Sequence, residues 1–409
     1  MLPTNRNPLT LLLLAGAAAC GRSASETAPG AVPAPLDRGE AAAPVCGALP
    51  CDWSRLTAGI DSAVRAGAAP GAVVAVSLRG GRFYHHAGQL GVDHPTAVDR
   101  NTVYDLASLT KVVALTSMAM IAVDEGRIRL DDPVVRYLPG FVGGWKEFVT
   151  IRHLLTHSSG LPAHRPLWQD AADRTSALAL VVATPLDTFP GARMVYSDLG
   201  AITTTLLLER VYGQPIDRLF HERIAKPLHL ESTRFVPPES WRKRIAPTER
   251  DPWRGRLVHG EVHDENAAFL GGVSGHAGLF STATDLLTFG EWLLRERNGA
   301  PGRRPDNPSV ASEVAREFTS RQEVVAGSSR ALGWDTPSNG SSAGTRLSRW
   351  SFGHTGFTGT SIWIDPTREL VIVVLSNRVN PTRENTRIGP FRIMVADRVA
   401  EVAGFTGAR

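Results

Sequence analysis

Tyr104-Asp105-Leu106-Ala107-Ser108-Leu109-Thr110-Lys111, running on into Val112-Val113-Ala114-Leu115, places a serine three residues before a lysine where a helix is expected to begin. Residues i and i+3 share one helical face, so the Lys111 amine can reach the Ser108 hydroxyl. The unpaired N–H groups of a first helical turn favour negative charge beside that serine. Such a pair supports acyl transfer without a histidine base, provided the lysine can lose its proton through desolvation or a neighbouring cation. The apolar run after Lys111 supplies the desolvation. Lysine otherwise stands only at Lys146, Lys226 and Lys243, and unlike arginine its pKa moves readily on burial. Ser240-Trp241-Arg242-Lys243 repeats the spacing, but it follows Pro237-Pro238 and has no apolar face, so it is read as coincidence.

Outward from that stretch, 409 residues with 43% hydrophobic content suffice for a large core, as two to three ordinary domains or one insertion-rich fold. Residues 1–19 carry one arginine and then the apolar run Leu9 to Ala19, the pattern of a secretory signal and too short to span a bilayer. Ala17-Ala18-Ala19-Cys20 resembles a bacterial lipobox with Cys20 as the lipidated residue; plain cleavage after Ala19 is the alternative. Residues 20–52, rich in Ala, Pro, Gly and Ser, are expected to be a lipid anchor and disordered linker. Cys46 and Cys51 are expected to pair in an oxidising compartment, two free thiols being the alternative. The expected location is the periplasm or cell envelope, with the membrane as partner through the lipid. A net charge of +4 without a dense basic run interleaved with aromatics excludes a nucleic-acid partner. Oligomeric state is not legible.

The folded domain is expected over 53–403. Leu56, Ile60 and Val64 have helical spacing; Gly71 to Leu78 and Arg82 to His86 read as strands joined by a Gly-Gly turn. Trp350 to Thr355, Thr358 to Ile364 and Glu369 to Ser376 read as an antiparallel meander, and Ile388 to Val402 as a covering helix. The expected class is α+β, an antiparallel sheet flanked by helices. Residues 53–111 and 336–403 would form the sheet lobe and 112–335 an inserted, mostly helical lobe, including a helix opened by Thr282-x-x-Asp285 as a capping box. If the early hairpin and late meander share a sheet, Ser108 falls in a cleft between the lobes.

Two further clusters, Tyr196-Ser197-Asp198 and His354-Thr355-Gly356, follow Ser108-Leu109-Thr110-Lys111 in order. Together they resemble the three motifs of the serine β-lactamase and penicillin-binding protein superfamily, nearest to its class C β-lactamase, D-peptidase and esterase branch. Leu154-Leu155-Thr156-His157-Ser158-Ser159-Gly160-Leu161 and Gly275-His276-Ala277-Gly278-Leu279-Phe280-Ser281 are similar to stretches common in that branch. The resemblance implies Ser108 as nucleophile, Lys111 accepting or relaying its proton, and Tyr196 completing the relay. A phenol suits that task if its pKa is lowered by flanking cations, which Lys111 and a protonated His354 would supply. The backbone N–H groups of Ser108 and Phe357 would form an oxyanion hole. Asp198, Thr355, Gly356 and Phe357 would line the substrate site, with Gly356 admitting substrate close to the strand.

Two departures bear on substrate. Asp198 stands where the class C pattern has asparagine; a carboxylate there should keep Lys111 charged and shift the base role toward Tyr196. His354 replaces a lysine that holds the substrate carboxylate, so recognition of carboxylate-bearing β-lactams is expected to weaken between pH 6 and pH 8.

His153 and His157 have zinc-pair spacing without an intervening glutamate, and His263-Asp264-Glu265-Asn266 reads as a loop bonding to itself, so neither metal nor other cofactor is expected. Gly340-Ser341-Ser342-Ala343-Gly344 matches a nucleophile elbow but lacks its preceding strand. The resulting expectation is an exported serine hydrolase acting through a Ser108 acyl-enzyme on peptidoglycan-type D-peptides, esters or β-lactams. The alternative is a penicillin-binding sensor with slow or no turnover.

Overall fold

The computed structural model describes residues 43, 45–46, 49–299 and 308–405. The expected leader, the lipobox and Cys20 lie outside these residues. The folded chain starts ahead of Trp53: Val45–Cys46 pairs with Leu49–Pro50, Cys46 is disulfide-bonded to Cys51, and both cysteines and Trp53 pack on the core.

The centre is one six-stranded antiparallel sheet. In chain order its strands are β1 (Gly71–Leu78), β2 (Gly81–Gly91) and β3 (His94–Ala97), then β7 (Phe352–Thr355), β8 (Ser361–Asp365) and β9 (Leu370–Ser376), in spatial order β7-β8-β9-β1-β2-β3. The early hairpin and late meander therefore join through β1 and β9, where Val74 pairs with Val374. β1 is buried along its whole length because both sheet faces are covered. Ala72, Val74 and Val76 pack with α1 (Ser54–Arg65) and α6 (Ile388–Val402) through Leu56, Ile60, Phe391 and Val399. Val73 and Ala75 face the opposite way, into the larger core that includes Phe289 and Trp292. The period-two alternation thus sorts one strand between two cores.

Phe289 and Trp292 belong to α5 (Ala283–Asn298), which starts at Thr282 as expected, the Asp285 N–H donating to its hydroxyl. Asp285 does not return the bond as a capping box requires; its carboxylate accepts from the Ser232 N–H and the Thr233 hydroxyl instead. A Cβ at Gly290 would lie 2.6 Å from Val371 Cγ1, so glycine there sets how closely α5 approaches the sheet.

The expected helical lobe is not wholly helical. It contributes β5 (Arg234–Phe235) and β6 (Leu279–Ser281), and β6 also pairs with β4 (Tyr104–Asp105) just ahead of Ser108. A small sheet spanning both segments thus fixes the serine. The α+β architecture agrees with the sequence reading. No helix among the described residues is long and apolar enough to cross a membrane.

Candidate active site

From Thr102 to Ala122 every residue is buried except Ser108. The chain turns there through Ala107, whose φ of 47° lies in the left-handed region that side chains rarely adopt. Buried Asp105 holds the turn: its carboxylate accepts from the Ala107 N–H at 2.8 Å and from the His263 N–H at 2.7 Å. Strain kept in place by surrounding bonds is common at reactive centres. After the turn the helix is not regular; Lys111–Thr116 winds as a π-helix before α2 (Ser117–Asp124), a local widening that recurs at functional sites.

Lys111 is buried and engaged on three sides. It donates to Ser108 Oγ at 3.1 Å and to the His276 carbonyl at 2.9 Å, and pairs with Asp198 Oδ1 at 2.7 Å. Burial, the largest single influence, pushes its pKa down, but the Asp198 carboxylate with Tyr196 contributing holds it above the usual lysine value. Lys111 therefore stays an ammonium, the outcome expected from Asp198. As a donor to Ser108 Oγ, it leaves the hydroxyl proton for another acceptor. Asp198 opens α4 (Asp198–Tyr212), which Ser197 caps, and its carboxyl is held well below the usual range by Lys111, with His164 contributing. The same contact raises the His164 pKa.

The Tyr196 ring has Lys111 Nζ 5.1 Å and Arg330 Cζ 5.2 Å from its centroid, with His157 at 4.4 Å and His354 at 5.8 Å between ring centroids. Its hydroxyl is buried without a hydrogen-bond partner. The expectation of a protonated His354 is corrected: burial first, then the Arg330 and Lys111 charges, push its pKa well below the usual value. The shift favours the neutral imidazole, so His354 is not the cation expected beside Tyr196. Arg330, which the sequence reading overlooked, provides the second cation.

Neutral His354 and His157, both buried with depressed pKa values, bear on stability. The unfolded chain takes up their protons below about pH 6.5, while the folded protein does not until lower pH. Their stability contribution is full above pH 6.5 and is lost as pH falls toward the folded-state values, at up to about 1.4 kcal/mol per pH unit each. His164 acts with the opposite sign. In urea unfolding at pH 7.5 and 5.5, His354→Gln is expected to lower the acid slope by one histidine's share; an unaltered slope would mean that His354 is charged in the folded protein.

β7 carries His354 and Thr355 beside the serine. Two hydroxyls lash the following turn to the serine's strand, Thr358 donating to the Asp105 carbonyl at 2.7 Å and Thr360 to the Leu106 carbonyl at 2.9 Å. The Phe357 carbonyl accepts from Arg378 Nε at 2.8 Å. Among the described residues neither the Ser108 nor the Phe357 N–H donates a hydrogen bond, so both are available to an oxyanion. Gly356 has a reason beyond substrate approach: a Cβ there would lie 2.1 Å from Thr360 Oγ1 and 2.4 Å from the Leu106 carbonyl oxygen.

The other histidine motifs resolve into separate duties. His153 completes the cap of α3 (Ile151–Leu155) with Thr150, whereas His157 lies beyond the helix. His263 bonds Glu249 at 2.8 Å and Asp264 bonds His276 at 2.8 Å, so this loop reaches across the fold rather than bonding chiefly to itself. Ser240 and Lys243 are exposed, and Ser342 accepts from Trp363 Nε1 within a turn.

The Beta-lactamase family model matches residues 58–395. The chain belongs to the β-lactamase family. A protein of Escherichia coli strain K12, "Putative D-alanyl-D-alanine carboxypeptidase", is 35% identical over 324 residues, covering 71% of this chain and 72% of that one. EstCE1, described as a hydrolase with promiscuous acyltransferase activity, shares the fold at a TM-score of 0.67 and 23% identity, over 84% of this chain and 97% of its own. The class C β-lactamase from Rhodobacter sphaeroides does so at 0.64 and 22%, over 83% and 98%. This member of the β-lactamase family is a serine hydrolase.

Proposed function

We propose that the protein cleaves D-alanyl-D-alanine-type peptides through an acyl-enzyme on Ser108. One observation carries this reading: Ser108, the one half-buried member of an otherwise buried run, accepts from a lysine kept charged by Asp198, beside a tyrosine whose hydroxyl has no other partner among the described residues. Tyr196, acting as the phenolate between the Lys111 and Arg330 cations, takes the Ser108 proton and becomes the neutral phenol. Ser108 Oγ bonds to the scissile carbonyl carbon, and its oxygen collects charge facing the Ser108 and Phe357 N–H groups. Collapse of this intermediate breaks the C–N bond, and Tyr196 passes the proton to the departing amine. Water then repeats the attack on the ester and frees Ser108. The name carried by the E. coli relative supports the choice of peptide.

The leader of residues 1–19 and the Ala17-Ala18-Ala19-Cys20 stretch support export and an envelope location with Cys20 lipidated, where such peptides occur. The test is release of D-alanine from a peptide ending in D-Ala-D-Ala, followed with intact mass during incubation with a penicillin. A Ser108 adduct with D-alanine release is expected. Adduct formation without hydrolysis of either compound would favour a slow sensor, and hydrolysis of p-nitrophenyl butyrate alone an esterase.

A further inference from the structure

Arg392 is a half-buried cation held by carbonyl groups instead of a carboxylate. It reaches from α6 to the turn between β7 and β8, where its Nη2 donates to the Gly356 and Thr360 carbonyls at 2.7 Å each. Its Nε is buried without a hydrogen-bond partner among the described residues. Burial, and then the neighbouring Arg378 cation, push its pKa down to about 9, and no carboxylate is among these influences. The guanidinium is therefore still charged at neutral pH. Keeping it beside a second cation costs free energy unless something at hand draws on its charge.

Holding the turn does not require that charge. The Thr358 and Thr360 hydroxyls already pin it to the Asp105 and Leu106 carbonyls. Within it the Gly356 N–H donates to the Thr360 carbonyl at 2.7 Å and the Gly359 N–H to the Gly356 carbonyl at 3.1 Å. What sets the Gly356 carbonyl apart is the other end of its peptide group: the Phe357 N–H, which donates to no backbone carbonyl among the described residues and faces the oxyanion position. A peptide group is one conjugated dipole, so a cation donating to its oxygen draws electron density from its nitrogen and strengthens the N–H as a donor. The Arg392 charge is felt in the catalytic cluster as well, being among those that depress the His354 pKa.

We propose that Arg392 is a positioning residue of the oxyanion hole, polarising the Gly356–Phe357 peptide so that the Phe357 N–H better stabilises the negative charge developing on the substrate oxygen. The inference rests on the Ser108 acyl-enzyme and goes beyond it, and it holds whether the acyl group comes from a peptide or an ester. That negative charge exists only as the carbonyl is attacked, so the gain falls on kcat and not on KM. Because Arg392 acts through one peptide group, its effect is smaller than that of losing a donor outright.

The experiment compares the wild type, Arg392→Lys and Arg392→Gln by kcat and KM on p-nitrophenyl butyrate, and by the infrared stretch of the isotope-labelled acyl carbonyl in the penicillin adduct of Ser108. The same adduct unfolded in urea is the reference, and counting sites by penicillin labelling corrects for unfolded protein. The wild-type band is expected at lower wavenumber folded than unfolded. Arg392→Gln, which offers a neutral donor, should lower kcat by about 10- to 100-fold, leave KM nearly unchanged and move the band toward the unfolded position. Arg392→Lys keeps the charge and should restore part of both. Equal kcat and equal band position in the lysine and glutamine variants overturn the inference, since Arg392 would then act only through the shape of the turn. A folded wild-type band at the unfolded position overturns it even if no variant folds. Both outcomes leave the acyl-enzyme standing. Failure of the wild type to form any Ser108 adduct removes the underlying reading instead.

Discussion

Replacing Ser108 with alanine is expected to lower turnover by about 10^4- to 10^6-fold and to abolish covalent labelling by a penicillin, with little change in the melting temperature. The lost hydroxyl is only one of three partners of Lys111, whose bonds to the His276 carbonyl and Asp198 persist. The turn at Ala107 is held by Asp105 and not by the serine. Chemistry and folding are therefore separable here. The check is intact mass after incubation with penicillin, p-nitrophenyl butyrate hydrolysis and a thermal melt on one preparation. An adduct in the alanine variant would move the nucleophile elsewhere.

Lys111→Met is expected to damage both properties. It withdraws the cation from Ser108 Oγ and Tyr196, for which a loss of about 10^2- to 10^4-fold in kcat is the range expected of a proton-transfer partner. It also strands Asp198, whose carboxylate is largely enclosed and keeps, as its ion-pair contact among the described residues, His164 at 3.9 Å. Breaking one half of a buried ion pair costs about 3 kcal/mol. Adding Asp198→Asn removes the stranded charge, so the double variant should recover most of the stability and none of the activity. Urea unfolding and ester hydrolysis on the two single variants and the double variant check this. Full activity in Lys111→Met would show that proton transfer does not need the ammonium.

Much of the fold was legible because its signals are local. A strand buried on both faces reads as an apolar run, as Gly71–Leu78 does, and the helix Ile388–Val402 was read with its observed bounds. Ser108, Lys111, Tyr196 and His354 were legible from their order, and the structure brings the four side chains together. What escaped is set by tertiary context. The π-turn at Lys111–Thr116 has no residue marking it, and the left-handed turn falls on an alanine instead of a glycine. The charge of His354 depends on burial and on Arg330, which a bridge between remote segments places there. Arg330 lies in Ser329-Arg330-Ala331-Leu332, where nothing distinguishes it from the chain's many other arginines. A stretch lacking charged neighbours around one arginine is too weak a signal to single it out.

The pairing of Val74 with Val374 joins residues made three hundred positions apart. During synthesis the serine and lysine therefore exist long before the strand bearing His354 and the turn bearing the Phe357 N–H. A partly made chain holds the nucleophile without its second oxyanion donor, the Phe357 N–H, and pairings of such long separation form late and slowly. For a chain proposed to leave the cytoplasm, the order of assembly acts as a timer: hydrolytic competence waits until the last strands have crossed and closed the sheet.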